Sequence, residues 1–283
     1  MIKINRFLIL TGIVLLSACH SKTKEIKDEI YSRHLQKHIP LTIISTPVPK
    51  DKGDFNLLLL NDGQEVEKLR VKELVDSLFK KKMIQPLVVV AIDTVNRMQQ
   101  YGVSGMPDYM GNGASAEKYE DFIINELLPF IKKRAGVRKF NSITIAGFSL
   151  GALSALDIAW DNADKINKVG AFSGSFWFRD KDAADPSYSD DKDRIIINKI
   201  RSSRKRPHLK YWFYAGGSEE SADRDKDEII DVIDDTRDLI TTINNKKVCP
   251  PEDIVYTEVK EGKHDYDSWS KVFPQFLIWA VEK

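Results

Sequence analysis

The sequence predicts an α/β fold in which a mostly parallel central sheet carries helices on both faces. Apolar runs rich in β-branched residues alternate with segments of helical periodicity along most of the chain. Runs such as residues 57–60 and 87–92 are continuously apolar, which is typical of strands buried on both faces. The 283 residues, 42% of them hydrophobic, suit one large domain better than a disordered or fibrous chain.

The individual elements follow from local periodicity. Short apolar runs predict strands over residues 41–46, 56–60, 87–92, 142–146, 168–172, 210–215 and 254–259. Helical spacing of apolar residues predicts helices over residues 65–82, 117–135, 150–159, 228–245 and 269–281. Two long polar segments, residues 94–116 and 179–193, are predicted to be lids or binding loops beside a pocket.

The overall charge argues against a nucleic-acid-binding protein. Lys and Arg number 43 and Asp and Glu number 42, so the formal charge is +1 and no large basic field is expected. We therefore expect no nucleic-acid partner. The two cysteines are too few for a disulfide-stapled scaffold or a multi-cysteine zinc site.

The N-terminus has the layout of a signal peptide. Lys3 and Arg6 precede an apolar run of about ten residues, and spanning a bilayer takes about 20. The run ends in Leu-Ser-Ala-Cys, which resembles a bacterial lipoprotein box. That resemblance implies that residues 1–18 are removed and that Cys19 carries lipid (a diacylglycerol thioether, with palmitate as a typical acyl group).

The rest of the chain is expected to be anchored to the membrane by this lipid. The charged residues 19–30 are predicted to form a solvated tether, and residues 31–283 a single domain. The membrane is then a partner through Cys19, and the protein is predicted to be lipid-anchored in the cell envelope, at the outer membrane. Cys249, in a Pro-rich loop, is predicted to be a bystander thiol.

A candidate nucleophile lies between a predicted strand and a predicted helix. Residues 147–151 read Gly-Phe-Ser-Leu-Gly, with Ser149 at the centre. A serine at a tight strand-to-helix turn has a strained backbone, and glycines two residues to either side avoid clashes. The helix N-terminus favours developing negative charge there. Ser149 is therefore the predicted catalytic serine, with a purely structural turn as the alternative.

A serine nucleophile needs a histidine base oriented by a carboxylate. In a strand-turn-helix site the order along the chain is serine, acid, histidine, which selects His264 in the loop before the last predicted helix. The acid is expected in the loop after residues 210–215. Glu219 lies closest to the turn, and Glu220 and Asp223 are alternatives.

Two backbone amides are expected to stabilise the oxyanion. One is the N–H of Leu150, directly after the nucleophile. The other belongs to the loop after residues 57–60, where the N–H of Gln64 is the predicted donor. The segment around Gln64 also fits a helix-start turn capped by Asp62, and the two interpretations are compatible.

The motifs together resemble the putative-esterase family of α/β-hydrolases, which includes enterochelin, feruloyl and acetyl-xylan esterases and esterase D. The resemblance extends over most of residues 41–283. It rests on the segments 59–64, 119–131, 147–151, 172–177 and 262–277.

The resemblance implies an α/β-hydrolase fold and a role for Ser149 and His264 as the catalytic pair. It also implies an oxyanion hole formed by the amides of Gln64 and Leu150, and no cofactor for catalysis. It suggests that Trp177 and Arg97 face the substrate, although Trp177 fits a core position equally well.

A second pattern resembles a calcium-binding loop. Counting from Asp223, carboxylates fall at positions 1, 3, 5, 9 and 12, as in EF-hand or dockerin loops. Position 6 is Glu228 instead of glycine, and position 12 is Asp instead of Glu. A structural Ca²⁺ site and a solvated acidic helix start therefore both remain open. The predicted ligands are Asp223, Asp225, Asp227, Ile229, Asp231 and Asp234.

The predicted function is hydrolysis of carboxylic esters through an acyl-enzyme. A siderophore ester or a feruloyl or acetyl group on a polysaccharide is the predicted substrate, so the partner is a small-molecule or glycan ester. Two alternatives remain: acyl transfer by the same triad, and a non-catalytic, surface-tethered binding lipoprotein.

Overall fold

The computed structural model describes residues 22–47 and 55–282. An eight-stranded sheet runs through the domain in the spatial order β1-β2-β4-β3-β5-β6-β7-β8. The strands are β1 (Lys24–Ser32), β2 (Lys37–Ser45), β3 (Asn56–Asn61), β4 (Leu87–Ile92), β5 (Ile143–Phe148), β6 (Lys168–Phe172), β7 (Lys210–Gly216) and β8 (Ile254–Val259). At one edge β1 pairs antiparallel with β2, and β2 pairs antiparallel with β4, whereas β3 to β8 run parallel to one another.

Nine α-helices lie among these strands in the described residues. They are α1 (Val71–Lys80), α2 (Arg97–Gln100), α3 (Ala116–Asp121), α4 (Leu128–Ala135), α5 (Leu150–Asp161), α6 (Asp190–Asp193), α7 (Ile195–Ser202), α8 (Asp231–Lys246) and α9 (Tyr266–Val281). A π-helix over Phe122–Leu127 joins α3 to α4.

Successive side chains of the central strands enter two separate cores. Leu57 and Leu59 belong to the core that β3 shares with α4, α5, α7 and α8. Leu58 and Leu60 face the opposite core, which α1 and α9 cover. Because neighbouring residues of a strand point to opposite faces, a continuously apolar strand requires helices on both sides. The α/β class, the mostly parallel sheet and the helices on both faces are thus confirmed.

The predicted elements agree with the structure except at a few places. α1 begins at Val71, not at residue 65, because a 3-10 turn (Gly63–Glu65) and Arg70 with φ of 50° precede it. α7 lies in a segment for which no element was predicted.

One correction concerns the proposed tether over residues 19–30. Residues 24–30 belong to β1, which pairs with β2 along its whole length. Charged side chains on an exposed edge strand hide the alternation that normally reveals a strand. The predicted signal peptide and Cys19 lie outside the described residues. None of the helices within those residues is long and apolar enough to cross a bilayer.

Candidate active site

Ser149 lies in a strained turn at the carboxyl end of β5. It separates β5 from α5 and has φ of 54° and ψ of −123°, a conformation that non-glycine residues rarely adopt. The Ser149 N–H donates to the carbonyl of Phe172 at the end of β6 (2.9 Å). The turn is thus hydrogen-bonded to the neighbouring strand, and it places Ser149 at the carboxyl ends of the parallel strands.

The two glycines of the motif are required by close contacts, with backbone at Gly147 and with a side chain at Gly151. A Cβ atom on Gly147 would lie 2.3 Å from the carbonyl oxygen of Gly151. A Cβ atom on Gly151 would lie 2.7 Å from Asp62 Oδ2. Either contact is shorter than real Cβ atoms make. The steric reason that the sequence suggested for these glycines is therefore confirmed.

A buried hydrogen-bond chain holds the start of α5 against β3. Asn61 Nδ2 donates to the carbonyl of Gly151 (2.8 Å), and the hydroxyl of Tyr119 donates to Asn61 Oδ1 (2.8 Å). All three residues are buried. Helix, strand and turn are consequently braced from the interior side.

Ser149 and His264 line the same open cleft, which has a volume of about 560 Å³. The His264 side chain is 42% exposed. The cleft lies at the carboxyl end of the parallel strands, where α/β folds usually bind ligands. Its lining also includes Asp62, Gln64, Glu65, Lys68, Arg97, Phe148, Asp265, Tyr266, Asp267 and Trp269.

Glu219 is the carboxylate that meets His264. Its Oε2 atom lies 2.8 Å from His264 Nδ1. Its Oε1 atom accepts hydrogen bonds from the Ser173 hydroxyl and from the Gly216 N–H, both at 2.6 Å. The Glu219 side chain is only 1% exposed. Both oxygens are therefore engaged in a nearly dry environment.

The other two candidate acids point elsewhere. Glu220 Oε1 accepts from the Val232 N–H at the start of α8 (2.9 Å), and partial burial raises the pKa of Glu220. Asp223 accepts from the backbone amides of Lys226, Asp227 and Glu228 and so closes its own loop. Each of these carboxylates stabilises local backbone.

The predicted oxyanion donors lie at two helix N-termini. Leu150 is the first residue of α5, and Gln64 lies in the 3-10 turn after β3. Amides in a first helical turn have no acceptor within their own helix, so they are available to a ligand. Gly63 makes the close approach of this turn possible, since a Cβ there would lie 2.5 Å from the Ile92 nitrogen.

Arg97 lines the cleft but is also bound to the protein itself. Its Nε atom lies 2.9 Å from Asp62 Oδ1, and its Nη2 donates to the carbonyl of Phe148 (3.1 Å). Burial raises the pKa of Asp62, and the Arg97 guanidinium works against that rise. The backbone of Asp62 is itself strained, with φ of 59°. Arg97 therefore braces the turn that carries Gln64.

Trp177 is not among the described residues that line the cleft. Its ring is 5.7 Å from the guanidinium carbon of Arg179, which also faces Tyr109 and Tyr188 at 5.8 and 5.7 Å. This aromatic cluster follows Ser175, whose Oγ is 3.3 Å from Ser149 Oγ. The cluster thus brings together residues of both predicted binding loops, Tyr109 from one and Tyr188 and Arg179 from the other.

The structure brings together three of the six predicted calcium ligands. Carboxylate oxygens of Asp223, Asp225 and Asp227 lie within 4.8 Å of one another. Asp231 instead pairs with Arg224 Nη1 (2.9 Å), so its place in the ligand set is wrong. An arginine inside the loop neutralises the charge that a cation would need. The residues therefore do not fit a complete EF-hand-type site.

Three polar residues of the site were not assigned a role from the sequence. Ser173 contacts Glu219, Ser175 contacts Ser149, and the indole of Trp269 donates to Ser173 Oγ (2.8 Å). Ser173 and Ser175 directly follow β6, so the signal was their position at the carboxyl end of a strand beside the nucleophile.

Away from the site, burial raises the pKa of Cys249 to about 11.

Fold and site together define an α/β-hydrolase. A sequence model of the Putative esterase family matches residues 32–280, and the chain belongs to that family. Membership places it among the carboxylic ester hydrolases.

Individual relatives are distant in sequence. The uncharacterized protein YbbA of Bacillus subtilis (strain 168) is 25% identical over 240 residues, which cover 82% of this chain and 88% of YbbA. Enterochelin esterase from Shigella flexneri superposes with a TM-score of 0.70 at 21% identity over 92% of this chain. The matched region is 58% of that longer esterase. A ferulic acid esterase gives a TM-score of 0.67 at 18% identity, covering 92% of this chain and 98% of its own.

Proposed function

We propose that this protein hydrolyses carboxylic esters through an acyl-enzyme formed on Ser149. The observation that carries the proposal is the arrangement of Glu219, His264 and Ser149. A buried carboxylate contacts the histidine at 2.8 Å, and the histidine shares a cleft with a serine in a strained strand-to-helix turn. Family membership supports the same reaction class.

The reaction would proceed by acid–base and covalent catalysis. The neutral imidazole of His264, with its proton on Nδ1 toward Glu219, takes the Ser149 hydroxyl proton on Nε2 while Ser149 Oγ attacks the ester carbonyl. The amides of Leu150 and Gln64 stabilise the oxyanion. His264 then returns the proton to the departing alcohol. Water, activated by the same histidine, releases the acid and regenerates Ser149.

Hydrolysis of an activated aryl ester tests this assignment. We expect Ser149→Ala to lose about 10³-fold or more in kcat, since removing the nucleophile leaves only binding and oxyanion stabilisation. Ser142→Ala, at the other end of the same strand, is the matched control. The wild-type protein should also be labelled by a fluorophosphonate, and Ser149→Ala should not. Full activity of Ser149→Ala would refute the proposal.

A histidine pair provides a second test. His264→Ala should lose activity to a similar extent, because His264 shares the cleft with Ser149 and is the imidazole base that Glu219 orients. His208→Ala is its control, since His208 lines a different cavity with Lys168 and Lys210. Labelling without hydrolysis, together with product formed on an added alcohol, would favour acyl transfer. Absence of labelling in a folded protein would favour a non-catalytic binding role.

We infer that the acyl part of the substrate ester carries a phenolic ring, as in a catecholate siderophore or a feruloylated polysaccharide. The supporting feature is the cluster of Trp177, Tyr109 and Tyr188 around Arg179, in which Trp177 follows Ser175 by two residues. Aromatic faces and a guanidinium bind phenolic rings by stacking and cation–π contacts. The names of the enterochelin and ferulic acid esterases point to the same kind of ester.

Esters with one leaving group and different acyl parts test the substrate class. Esters of ferulic acid and of N-(dihydroxybenzoyl)serine should be preferred over the acetyl ester in kcat/KM. Trp177→Ala should lower that preference about 10-fold, since one stacked ring contributes about 1 kcal/mol or more. Faster hydrolysis of the acetyl ester, unaffected by Trp177→Ala, would instead indicate an acetyl esterase.

We propose that lipid on Cys19 anchors the mature protein in the cell envelope, at the outer membrane. The N-terminal charge, apolar run and Leu-Ser-Ala-Cys ending support this proposal. In a bacterial host, wild-type protein should incorporate labelled palmitate and sediment with membranes. Cys19→Ser should do neither, and Cys249→Ser should behave like wild type. A membrane-bound Cys19→Ser protein would exclude lipid as the anchor.

A further inference from the structure

A chain of hydrogen bonds leads from the core to Glu219. The indole Nε1 of Trp269 donates to Ser173 Oγ (2.8 Å), and Ser173 Oγ donates to Glu219 Oε1 (2.6 Å). Trp269 is 3% exposed and Ser173 1% exposed, so water does not compete for these bonds. The chain joins α9 to the loop after β6 and then to the loop after β7.

Donor chemistry gives this chain a single direction. An indole N–H can donate but cannot accept, so Ser173 Oγ must act as the acceptor toward Trp269. The single hydroxyl proton of Ser173 is therefore donated to Glu219 Oε1. A second donor, the N–H of Gly216, reaches the same Oε1 atom. With two donors, Oε1 is fully engaged as an acceptor.

The remaining oxygen of Glu219 is directed at the base. With Oε1 occupied, Oε2 is left for His264 Nδ1 at 2.8 Å. An ionised carboxylate accepts only, so Nδ1 carries the proton and Nε2 becomes the basic atom. Trp269 also packs edge-on against the His264 ring, with centroids 5.2 Å apart. One side chain therefore contacts the base directly and orients its acid through Ser173.

The backbone of Ser173 is held in an uncommon conformation to make this contact. Its φ is 49°, and its N–H donates to the carbonyl of Tyr214 on β7 (2.8 Å). Left-handed backbone at a non-glycine residue is costly and persists where surrounding contacts determine it. The strain fixes the hydroxyl between the indole and the carboxylate.

We propose that Trp269 and Ser173 are positioning residues that set the orientation of Glu219, and through it the tautomer of His264. The proposal rests on the proposed function and adds to it a directed chain of two hydrogen bonds behind the triad acid. Neither residue needs to touch the substrate through this chain. Its loss should therefore slow the chemical step and leave substrate binding largely unchanged.

Trp269→Phe tests the first bond because it keeps a ring in place and removes the N–H. We expect kcat to fall about 10-fold, and Ser173→Ala, which removes the donor to the charged Glu219, to reduce it about 10-fold to 100-fold. KM should change less than about two-fold. Trp212→Phe is the control: Trp212 is buried in the same core, and its indole N–H has no partner in the described part of the chain.

The double variant separates a shared chain from two independent defects. Trp269→Phe combined with Ser173→Ala should be no slower than Ser173→Ala alone, because the indole acts through the hydroxyl. Losing a donor leaves more charge on Glu219 Oε2, which stabilises the imidazolium. The acid limb of the kcat/KM profile should accordingly move to higher pH in both single variants but not in Trp212→Phe.

Additive losses, an unshifted pH profile, or a Trp269→Phe enzyme as active as Trp212→Phe would overturn the proposal. If Trp269→Phe does not fold, the kcat and pH profile of Ser173→Ala decide alone. Failure of the proposed function has a different signature, in which Ser149→Ala and Glu219→Gln remain active. Inactive Ser149→Ala and Glu219→Gln proteins beside fully active Ser173→Ala would overturn only the positioning chain.

Discussion

The turn at Ser149 and the loop that follows β7 both carry candidate catalytic groups, yet different kinds of contact fix them. At the turn, a Cβ atom on Gly147 would clash with the backbone of Gly151 in the same motif, and a Cβ atom on Gly151 would clash with the Asp62 side chain from the loop after β3. In the loop, residues distant in sequence select the acid, because Ser173 and His264 hold Glu219, whereas Asp223 binds amides of its own loop. The comparison shows that local sterics define the nucleophile, whereas the acid depends on tertiary contacts.

The loop after β7 and the first turns of α8 illustrate the second case. Arg224 pairs with Asp231 at 2.9 Å and with the buried Asp235 at 2.6 Å, and Arg194 from the start of α7 also pairs with Asp235. These ion pairs occupy carboxylates that resemble the others in sequence. Glu219 remains for His264 because Ser173 and Gly216 hold its second oxygen.

The largest expected effect tests the choice among neighbouring acids. Glu219→Gln should reduce kcat about 10³-fold to 10⁴-fold, because an amide no longer stabilises the His264 imidazolium or its tautomer. Glu220→Gln, one residue further, should stay within about three-fold of wild type, since Glu220 holds the start of α8. Steady-state hydrolysis of an activated ester measures both. Reversed effects would transfer the acid role to Glu220.

A second prediction concerns a substitution that disrupts the turn at Ser149. Gly147→Ala should destabilise the protein by about 3 kcal/mol or more, because its Cβ meets backbone atoms that cannot yield cheaply. Gly105→Ala is the control, since its Cβ would meet no atom within 4 Å and only its φ of 71° opposes the change. That strain costs about 1–2 kcal/mol. Urea unfolding compares the two, and equal losses would contradict a local steric origin.

Helix α5, which follows the Ser149 turn, contains the buried carboxyl group of Asp157. Its titration should affect the free energy of unfolding. Burial raises the pKa of Asp157 from 3.8 to about 6, and Lys199 opposes that rise. Between these pH values the folded protein keeps a proton that the unfolded chain has released. The unfolding free energy that Asp157 contributes should thus decrease as pH rises from about 4 to about 6.

Asp157→Asn is the matching variant. It removes the titration and can keep the acceptor for the Ser104 N–H. Urea unfolding at several pH values should give a stability difference, wild type minus variant, that falls through the same window. A difference that stays constant from pH 4 to pH 7 would mean that Asp157 does not titrate there.

The smallest expected effect concerns calcium at the acidic loop. Because Asp223 caps three amides and Asp231 pairs with Arg224, we expect millimolar calcium to raise the melting temperature by less than about 2 °C. Calorimetry and thermal melts with and without a chelator measure this. A large shift that Asp225→Asn abolishes would restore the calcium loop that the sequence suggested.

The core strands could be predicted from the sequence because burial on both faces leaves a continuous apolar run. β1 could not, since its charged residues lie on an exposed edge and its pairing with β2 supplies the missing information. α7 was missed although its buried residues Ile195, Ile196, Ile197 and Ile200 fit a helix. Four isoleucines in six residues also fit a strand, and packing against α8 decides between them.

The sequence by itself determined the α/β class, the esterase family motifs, and the selection of Ser149 and His264 as candidates. Each depends on short-range patterns: strand burial, glycine spacing and order along the chain. Tertiary structure alone decided that Glu219, not Glu220 or Asp223, contacts His264, and that Asp231 binds an arginine. Carboxylates in one charged segment have nearly identical local signals, so the hydrogen-bond partners that the folded structure supplies determine what each one does.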